Sequence, residues 1–495
     1  MKSTNALFRV AAAAAFAALA AAPAVAQPAD FTRLVLVGDS EGAGYADGCL
    51  AKHSQIDSFA AILARQAGVS FEQPLLDEPG IGGCLVLTSL APSFTRKASQ
   101  PKPLNLTLAR PYNNLAIGGC AMGDLTKATT AANARPGTCA DTIDLVLRNS
   151  SLKLGSPVDQ ALALNPTFVI VEMVGNDLLG AVLTGDIRDG VTVTPAAQYT
   201  TDLNAAITKL KTKAVNGMIF TTADVTNIPF ATTIPPFLTS GGQLVLVNGA
   251  PIPLLGPKGC PTGVPACPMP ANTLVTLNAA GYLPSGFGIP CAVFPSAPPP
   301  NCNKPLPASP LGAGLPGALI YASDTALLKT RAAEYNAAIQ TVATANGYSV
   351  FDTNAFLQSL KAGRNYGGAV ISAAFLTGGA FSYDGFHLSS IGQAILADDV
   401  IKFLNRTYNT TIPEPDLTPY LFDGNSTGGI PSLAFLGPDG LERAMAEIFT
   451  PEFQRSLWDF MPPPSALSLG DRPVGDSGPI LKGVPETGDT FRDRR

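Results

Sequence analysis

Apolar residues along this chain fall into two alternating patterns. Short runs rich in Val, Ile and Phe occur at Arg33 to Gly38, Tyr112 to Ile117, Thr167 to Val174, Gly217 to Thr222 and Tyr348 to Asp352. Apolar runs of this length predict strands buried on both faces, as in parallel sheets. Between them, Ser58 to Ala67, Ala197 to Ala214, Asp324 to Ala345 and Ser389 to Asn405 place apolar residues at helical spacing with polar opposite faces. Strands alternating with helices predict an α/β layered sheet.

Three stretches break this alternation. Residues 1–26 begin with Lys2 and Arg9, run through alanines and reach Ala24-Val25-Ala26, a pattern that predicts a secretory signal with cleavage after Ala26. From about residue 228 to 317, Pro, Gly and Cys displace both periodicities, and we read an insertion of the kind that builds lids or binding walls. Its apolar content, including Ile252, Leu254, Phe287 and Phe294, suits a cover over an apolar substrate, and a disulfide-stapled decoration is the alternative. Residues 406–495 read as an extension that wraps the surface, with one amphipathic stretch from Gly440 to Phe453 and a polar, disordered tail. The main domain is therefore expected over residues 27–405.

Charge narrows the partners. A net charge of −5 with 14% charged residues supplies no broad basic surface, so no nucleic-acid partner is expected. No uninterrupted apolar run of spanning length follows the leader, and no transmembrane segment is expected in the mature chain. The chain is expected to be exported, to the periplasm, the outer surface or the medium. Eight cysteines in an exported chain are expected to pair as disulfides. Spacing suggests Cys260 with Cys267 and Cys291 with Cys302 in the insertion, then Cys49 with Cys84 and Cys120 with Cys139. No CxxC pair occurs and the two histidines, His53 and His387, are far apart, so neither a metal nor a cofactor is expected.

Chemistry gathers at the strand ends. Ser40 follows the first strand, Gly118-Gly119 the second, and Asn176 the third, within Val174-Gly175-Asn176-Asp177. In a parallel sheet these ends share one edge, so a serine hydroxyl, a glycine N–H and an asparagine amide can converge there. That set suits acyl transfer, where fixed donors stabilise the developing oxyanion by on the order of 3 kcal/mol each. Asp384 and His387 stand three apart just before a helix, so one loop can supply a base and the carboxylate that orients it. His53 lies in a polar segment ahead of a helix and is the weaker base. Cys120 reads as a bridge or packing residue, and Gly42-Ala43-Gly44 lacks the Lys-Ser/Thr ending of a phosphate loop.

With these residues in order, the chain resembles the GDSL lipolytic family, or SGNH hydrolases, from about residue 33 to 405. Its blocks look like Gly38-Asp39-Ser40, Asn114 to Cys120, Val174-Gly175-Asn176-Asp177 and Asp384-Gly385-Phe386-His387. The Thr377 to Ser382 stretch is similar to a secreted bacterial branch. The resemblance implies a three-layer α/β/α fold with a parallel, flavodoxin-like sheet. It also implies Ser40 as nucleophile, His387 as base, Asp384 as its partner, and Ser40 N–H, Gly119 N–H and the Asn176 side chain as oxyanion donors. Two departures stand out: Glu41 replaces the leucine common after the serine, and Val174 stands where glycine is usual.

The reaction expected is hydrolysis of carboxylic esters, small-molecule or lipid, through an acyl-enzyme on Ser40. An acyltransferase or a carbohydrate acetylesterase would use the same residues, and a non-catalytic surface binding protein is the alternative of another class. Gly38-Asp39-Ser40-Glu41-Gly42 also fits the GxSxG elbow of α/β-hydrolases. An elbow serine, however, normally follows several strands, whereas only about a dozen residues separate Ser40 from the cleavage site.

Overall fold

The computed structural model describes residues 28–89, 93–96, 102–294, 296–310, 315–421 and 437–460. The expected leader and the polar tail lie outside them. Four parallel strands form the central sheet: β1 (Leu34–Gly38), β2 (Phe168–Glu172), β3 (Asn216–Phe220) and β4 (Ser349–Phe351), in the order β1-β2-β3-β4. β1 pairs in register with β2 from Leu34↔Phe168 to Gly38↔Glu172, and every residue of both strands is buried. This accounts for their apolar runs, since neither face meets water.

The expected strand at Tyr112 to Ile117 is a shorter attachment. Leu36 N–H donates to Asn113 O at 2.9 Å, Leu115 N–H to Leu36 O at 2.9 Å and Ile117 N–H to Gly38 O at 3.0 Å, with a parallel bridge between Leu36 and Asn114. It lies on the β1 edge away from β2. The chain thus leaves β1 to one side and returns to the other, which puts a topological switch point at β1. Such points are where open α/β sheets bind ligands.

Helices cover both faces. α1 (Ser40–Ala43) is a single turn after β1, and α2 (Phe59–Gln66) packs with α6 (Ser390–Tyr408) on one face. Phe59 meets Phe220 of β3, Phe403 meets Phe351 of β4 and Tyr408 meets Phe168 of β2. On the opposite face α3 (Ala196–Lys211) packs against α4 (Ala322–Asn346), and Tyr199 and Tyr335 stack at 4.0 Å. α5 (Thr353–Ala362) follows β4. The result is the three-layer α/β/α fold.

The insertion forms two-residue hairpin strands and short 3-10 turns, consistent with its loss of periodicity. Cys260–Cys267 and Cys291–Cys302 bridge it, and Cys49–Cys84 and Cys120–Cys139 bridge the main domain. A hairpin over Leu85–Ser89 and Ser93–Arg96 was not expected from the pattern. The amphipathic stretch near 440–453 forms two helices, α7 (Gly437–Ile448) and α8 (Pro451–Phe460). They dock rather than merely wrap: Phe449, Phe453 and Leu457 are buried, and Gln454 Nε2 donates to Asn278 O at 2.6 Å. Among the described residues no helix is long and apolar enough to cross a membrane.

Candidate active site

Ser40 opens α1 immediately beyond β1. Asp39 caps this turn, its Oδ1 accepting from Glu41 N–H at 3.2 Å, while its Oδ2 accepts from Gly175 N–H at 3.3 Å. One carboxylate thereby ties the serine turn to the loop that carries Asn176. Asn176 Nδ2 donates to Cys120 O at 3.0 Å, next to Gly119, and Arg135 holds the Asn176 carbonyl at 2.9 Å. The ends of β1, β2 and the 113–117 segment are therefore joined by direct hydrogen bonds around the switch point.

A residue that sequence reasoning missed sits beneath them. Glu172 ends β2, fully buried, and its Oε2 accepts from Gly42 N–H at 2.9 Å and Asp39 N–H at 3.2 Å. A Cβ on Gly38 would lie 2.6 Å from this oxygen and one on Gly42 only 2.5 Å. The glycines on either side of Asp39-Ser40-Glu41 are thus explained by the Glu172 carboxylate, which demands close backbone approach. The sequence signal was available: a carboxylate closing an otherwise apolar strand.

The other half of the site is the Asp384–His387 loop. His387 Nδ1 meets Asp384 Oδ2 at 2.8 Å. Asp384 Oδ2 also accepts from Gly48 N–H at 3.0 Å, and its Oδ1 from Phe386 N–H at 3.0 Å and His387 N–H at 2.9 Å. Gly385 turns the loop with φ of +79°, a conformation only glycine takes without strain. Further bonds lash it to the chain after α1: Asp47 N–H donates to Ser382 Oγ at 3.0 Å and Tyr383 N–H to Asp47 Oδ1 at 2.8 Å. The Cys49–Cys84 bridge begins one residue beyond Gly48.

The turn that begins at Ser40 and the loop that carries His387 meet through neighbouring residues. Tyr45 stacks on the His387 imidazole with centroids 5.8 Å apart, Leu388 N–H approaches Glu41 Oε2 at 3.5 Å, and Gln393 Nε2 donates to Glu41 Oε1 at 2.7 Å. Ser40, Asn176 and His387 are 4%, 2% and 2% exposed, so the chemistry here would run with little bulk water. His53, by contrast, pairs with Glu78 at 2.9 Å.

Burial and charge set the protonation states. Burial would lower His387, but the Asp384 charge and hydrogen bond, with Glu41 and Asp39, outweigh it and hold the imidazole above its ordinary 6.5. Burial would raise Asp384, yet the facing His387 charge and the loop N–H bonds hold it below the usual carboxylate value. Glu41 goes the other way: burial pushes it up to about 8. Asp39 is raised by burial to about 6, and Glu172 well above the carboxylate range by burial and the charges of Asp39 and Glu41. Glu41 and Glu172 also line a cavity of about 60 Å³ together with Val174, Phe220 and Phe386.

This arrangement can polarise a hydroxyl and receive its proton, and it holds N–H donors at neighbouring strand ends. For a metal, the described residues offer Cys120, Asp124 and Cys139 together, but the two sulfurs are joined in a disulfide, leaving a single carboxylate. No curated protein matches the chain. Residues 34–400 match GDSL-like Lipase/Acylhydrolase, well over half of the sequence and spanning every residue of the site, and the chain belongs to that family.

Proposed function

We propose that the protein is an exported serine esterase that cleaves carboxylic esters through an acyl-enzyme on Ser40. Family membership supports a hydrolase of ester type. The observation that carries the residue assignment is the buried Asp384–His387 pair at 2.8 Å, packed through Tyr45 and Glu41 against the turn that begins at Ser40. In this reading Ser40 Oγ attacks the ester carbonyl while His387 Nε2 takes its proton, and Asp384 stabilises the imidazolium. The carbonyl oxygen becomes an oxyanion held by Ser40 N–H, Gly119 N–H and Asn176 Nδ2. An amide nitrogen carries two hydrogens, and only one is engaged by Cys120 O. Collapse expels the alcohol with the proton from His387. Water, deprotonated by His387, then attacks the acyl-Ser40 carbonyl and releases the acid. Four disulfides favour an oxidising compartment and support export.

The test is turnover of p-nitrophenyl acetate by the purified protein and by Ser40→Ala and His387→Ala. Each substitution is expected to lower kcat at least about a thousandfold. A fluorophosphonate should add its mass to Ser40 in the wild-type protein only. Unchanged turnover in folded Ser40→Ala would overturn the assignment.

A further inference from the structure

A cavity of about 550 Å³ lies between the insertion, the Phe375-Leu376 corner and α7. Its principal walls are Phe237, Leu254, Leu283, Ile289, Phe375 and Met445. The volume falls within the roughly 300–1,000 Å³ of small-molecule sites, and the predominantly apolar wall is what a hydrocarbon ligand requires.

The cavity adjoins the Asp384–His387 loop. A Cβ on Gly385 would stand 3.2 Å from Phe375 Cε2, a cavity wall, and 2.7 Å from Leu277 Cδ1 on the turn whose Ala280 also lines the cavity. Phe230 N–H donates to Gly385 O at 2.9 Å, and Thr233 and Ile234, one turn on, line the same space. The cavity wall therefore packs directly against the loop that carries the candidate base.

Neither the insertion nor the C-terminal helices build this space alone. Glu442 Oε1 of α7 accepts from Gly242 N–H at 3.1 Å, closing the wall between the two. The hairpins that carry Phe237 and Leu238 also expose Leu244, Leu246 and Val247 at 47%, 55% and 55%. An apolar rim next to an apolar cavity suits a substrate that arrives from a lipid aggregate.

We infer that this cavity holds the hydrocarbon chain of the ester, and that α7, which lies beyond the residues shared with the family, helps to set chain-length preference. The inference rests on the esterase reading for its site of cleavage. In water-to-cavity transfer each methylene is worth about fourfold in kcat/KM, until the space is full.

The experiment uses the full chain and two ester series: acyl groups of increasing length on p-nitrophenol, and acetates of alcohols of increasing length. kcat/KM should climb in one series, which identifies whether the acyl or the alcohol chain occupies the cavity. In Met445→Trp the ratio of octyl to ethyl substrates should fall at least tenfold in that series. Ala446→Leu provides a milder obstruction should the tryptophan variant fail to fold. Separately, dodecanoic acid and dodecanol are titrated into Ser40→Ala, and the cavity substitutions should weaken the Kd of whichever binds at least tenfold. Flat series, or an unchanged ratio and Kd in a folded cavity variant, would overturn the inference. Activity that survives in Ser40→Ala would instead overturn the catalytic assignment and leave the binding result to decide the cavity.

Discussion

Gln393 Nε2 donates to Glu41 Oε1 at 2.7 Å and to the Glu41 carbonyl at 3.2 Å, so a single amide from α6 holds the residue that follows the candidate nucleophile. Burial pushes this carboxyl up to about 8, so most of its negative charge beside His387 and the Ser40 turn develops as pH rises through that value. A charge arising beside a developing oxyanion opposes it. The wild-type rate is therefore expected to fall as pH rises through about 8, and Glu41→Gln, which keeps the shape and cannot ionise, should lose that limb. A profile with the same inflection in Glu41→Gln would remove Glu41 from the pH dependence.

The acid limb has a different origin. His387 must be neutral to accept the Ser40 proton, and its partners hold it above 6.5. Half-maximal kcat/KM is expected on the acid side above pH 6.5. A limb centred well below 6.5 would contradict the geometry of the Asp384 contact.

The same groups make stability depend on pH. Glu41, Asp39 and Glu172 all titrate higher in the folded chain than in the unfolded one. Between the ordinary carboxylate value of about 4 and the folded values, the native state holds protons that the unfolded chain has released, so stability falls as pH rises. His387, also raised, contributes stability that is likewise lost with rising pH; Asp384, lowered, works in the opposite sense below about pH 4. Thermal melts should decline from pH 5 to 8, and Glu41→Gln should decline less. Parallel curves for the two proteins would show that Glu41 is not protonated in the fold.

Gly42 and Glu172 should be coupled. A methyl group on Gly42 would meet Glu172 Oε2 at 2.5 Å, and overpacking of this kind costs about 1–3 kcal/mol. Denaturant unfolding of Gly42→Ala should show that loss, and in a Glu172→Ala background the added cost should shrink because the nearest clashing atom is gone and Leu36 Cδ2, at 2.9 Å, remains. Strict additivity across this double-mutant cycle would argue that the glycine is there for another reason.

These couplings mark where sequence reasoning ended. The apolar runs predicted the strands, and strand-end position, a local property of the chain in a parallel sheet, singled out Ser40, Gly119 and Asn176 as candidates. Asp384 and His387 were legible for the same reason, three residues apart in one loop. Glu172 left only a partial trace, a carboxylate closing an apolar strand, and its role was not legible because its bonds to Asp39 and Gly42 span 133 and 130 residues. The segment at 112–117 read as a strand but pairs along only one edge of β1, and the docking of α7 and α8 depends on contacts such as Gln454 with Asn278, 176 residues apart. Long-range partners of buried polar groups leave no periodic trace.

Asp384 offers the sharpest single test of the loop. Its two oxygens accept four hydrogen bonds: from Gly48, Phe386 and His387 N–H groups and from the His387 ring. In Asp384→Asn one oxygen can still accept from the Phe386 and His387 backbone, but the amide nitrogen then faces both Gly48 N–H and His387 Nδ1. A donor opposite Nδ1 favours the tautomer with its proton on Nε2, the nitrogen that must receive the Ser40 proton, and the imidazolium loses its counter-charge. The expected outcome is a fall in kcat on the order of 10⁴, as when the aspartate of a Ser-His-Asp triad is neutralised, with KM changed far less. Fluorophosphonate labelling of Ser40 should slow in proportion, since the same proton transfer activates the hydroxyl. The folded state should also lose the stability that the lowered Asp384 pKa contributes above the unfolded carboxylate value. If Asp384→Asn retained kcat within tenfold of wild type while losing stability, the aspartate would be a structural anchor for the loop and not the partner of a working base.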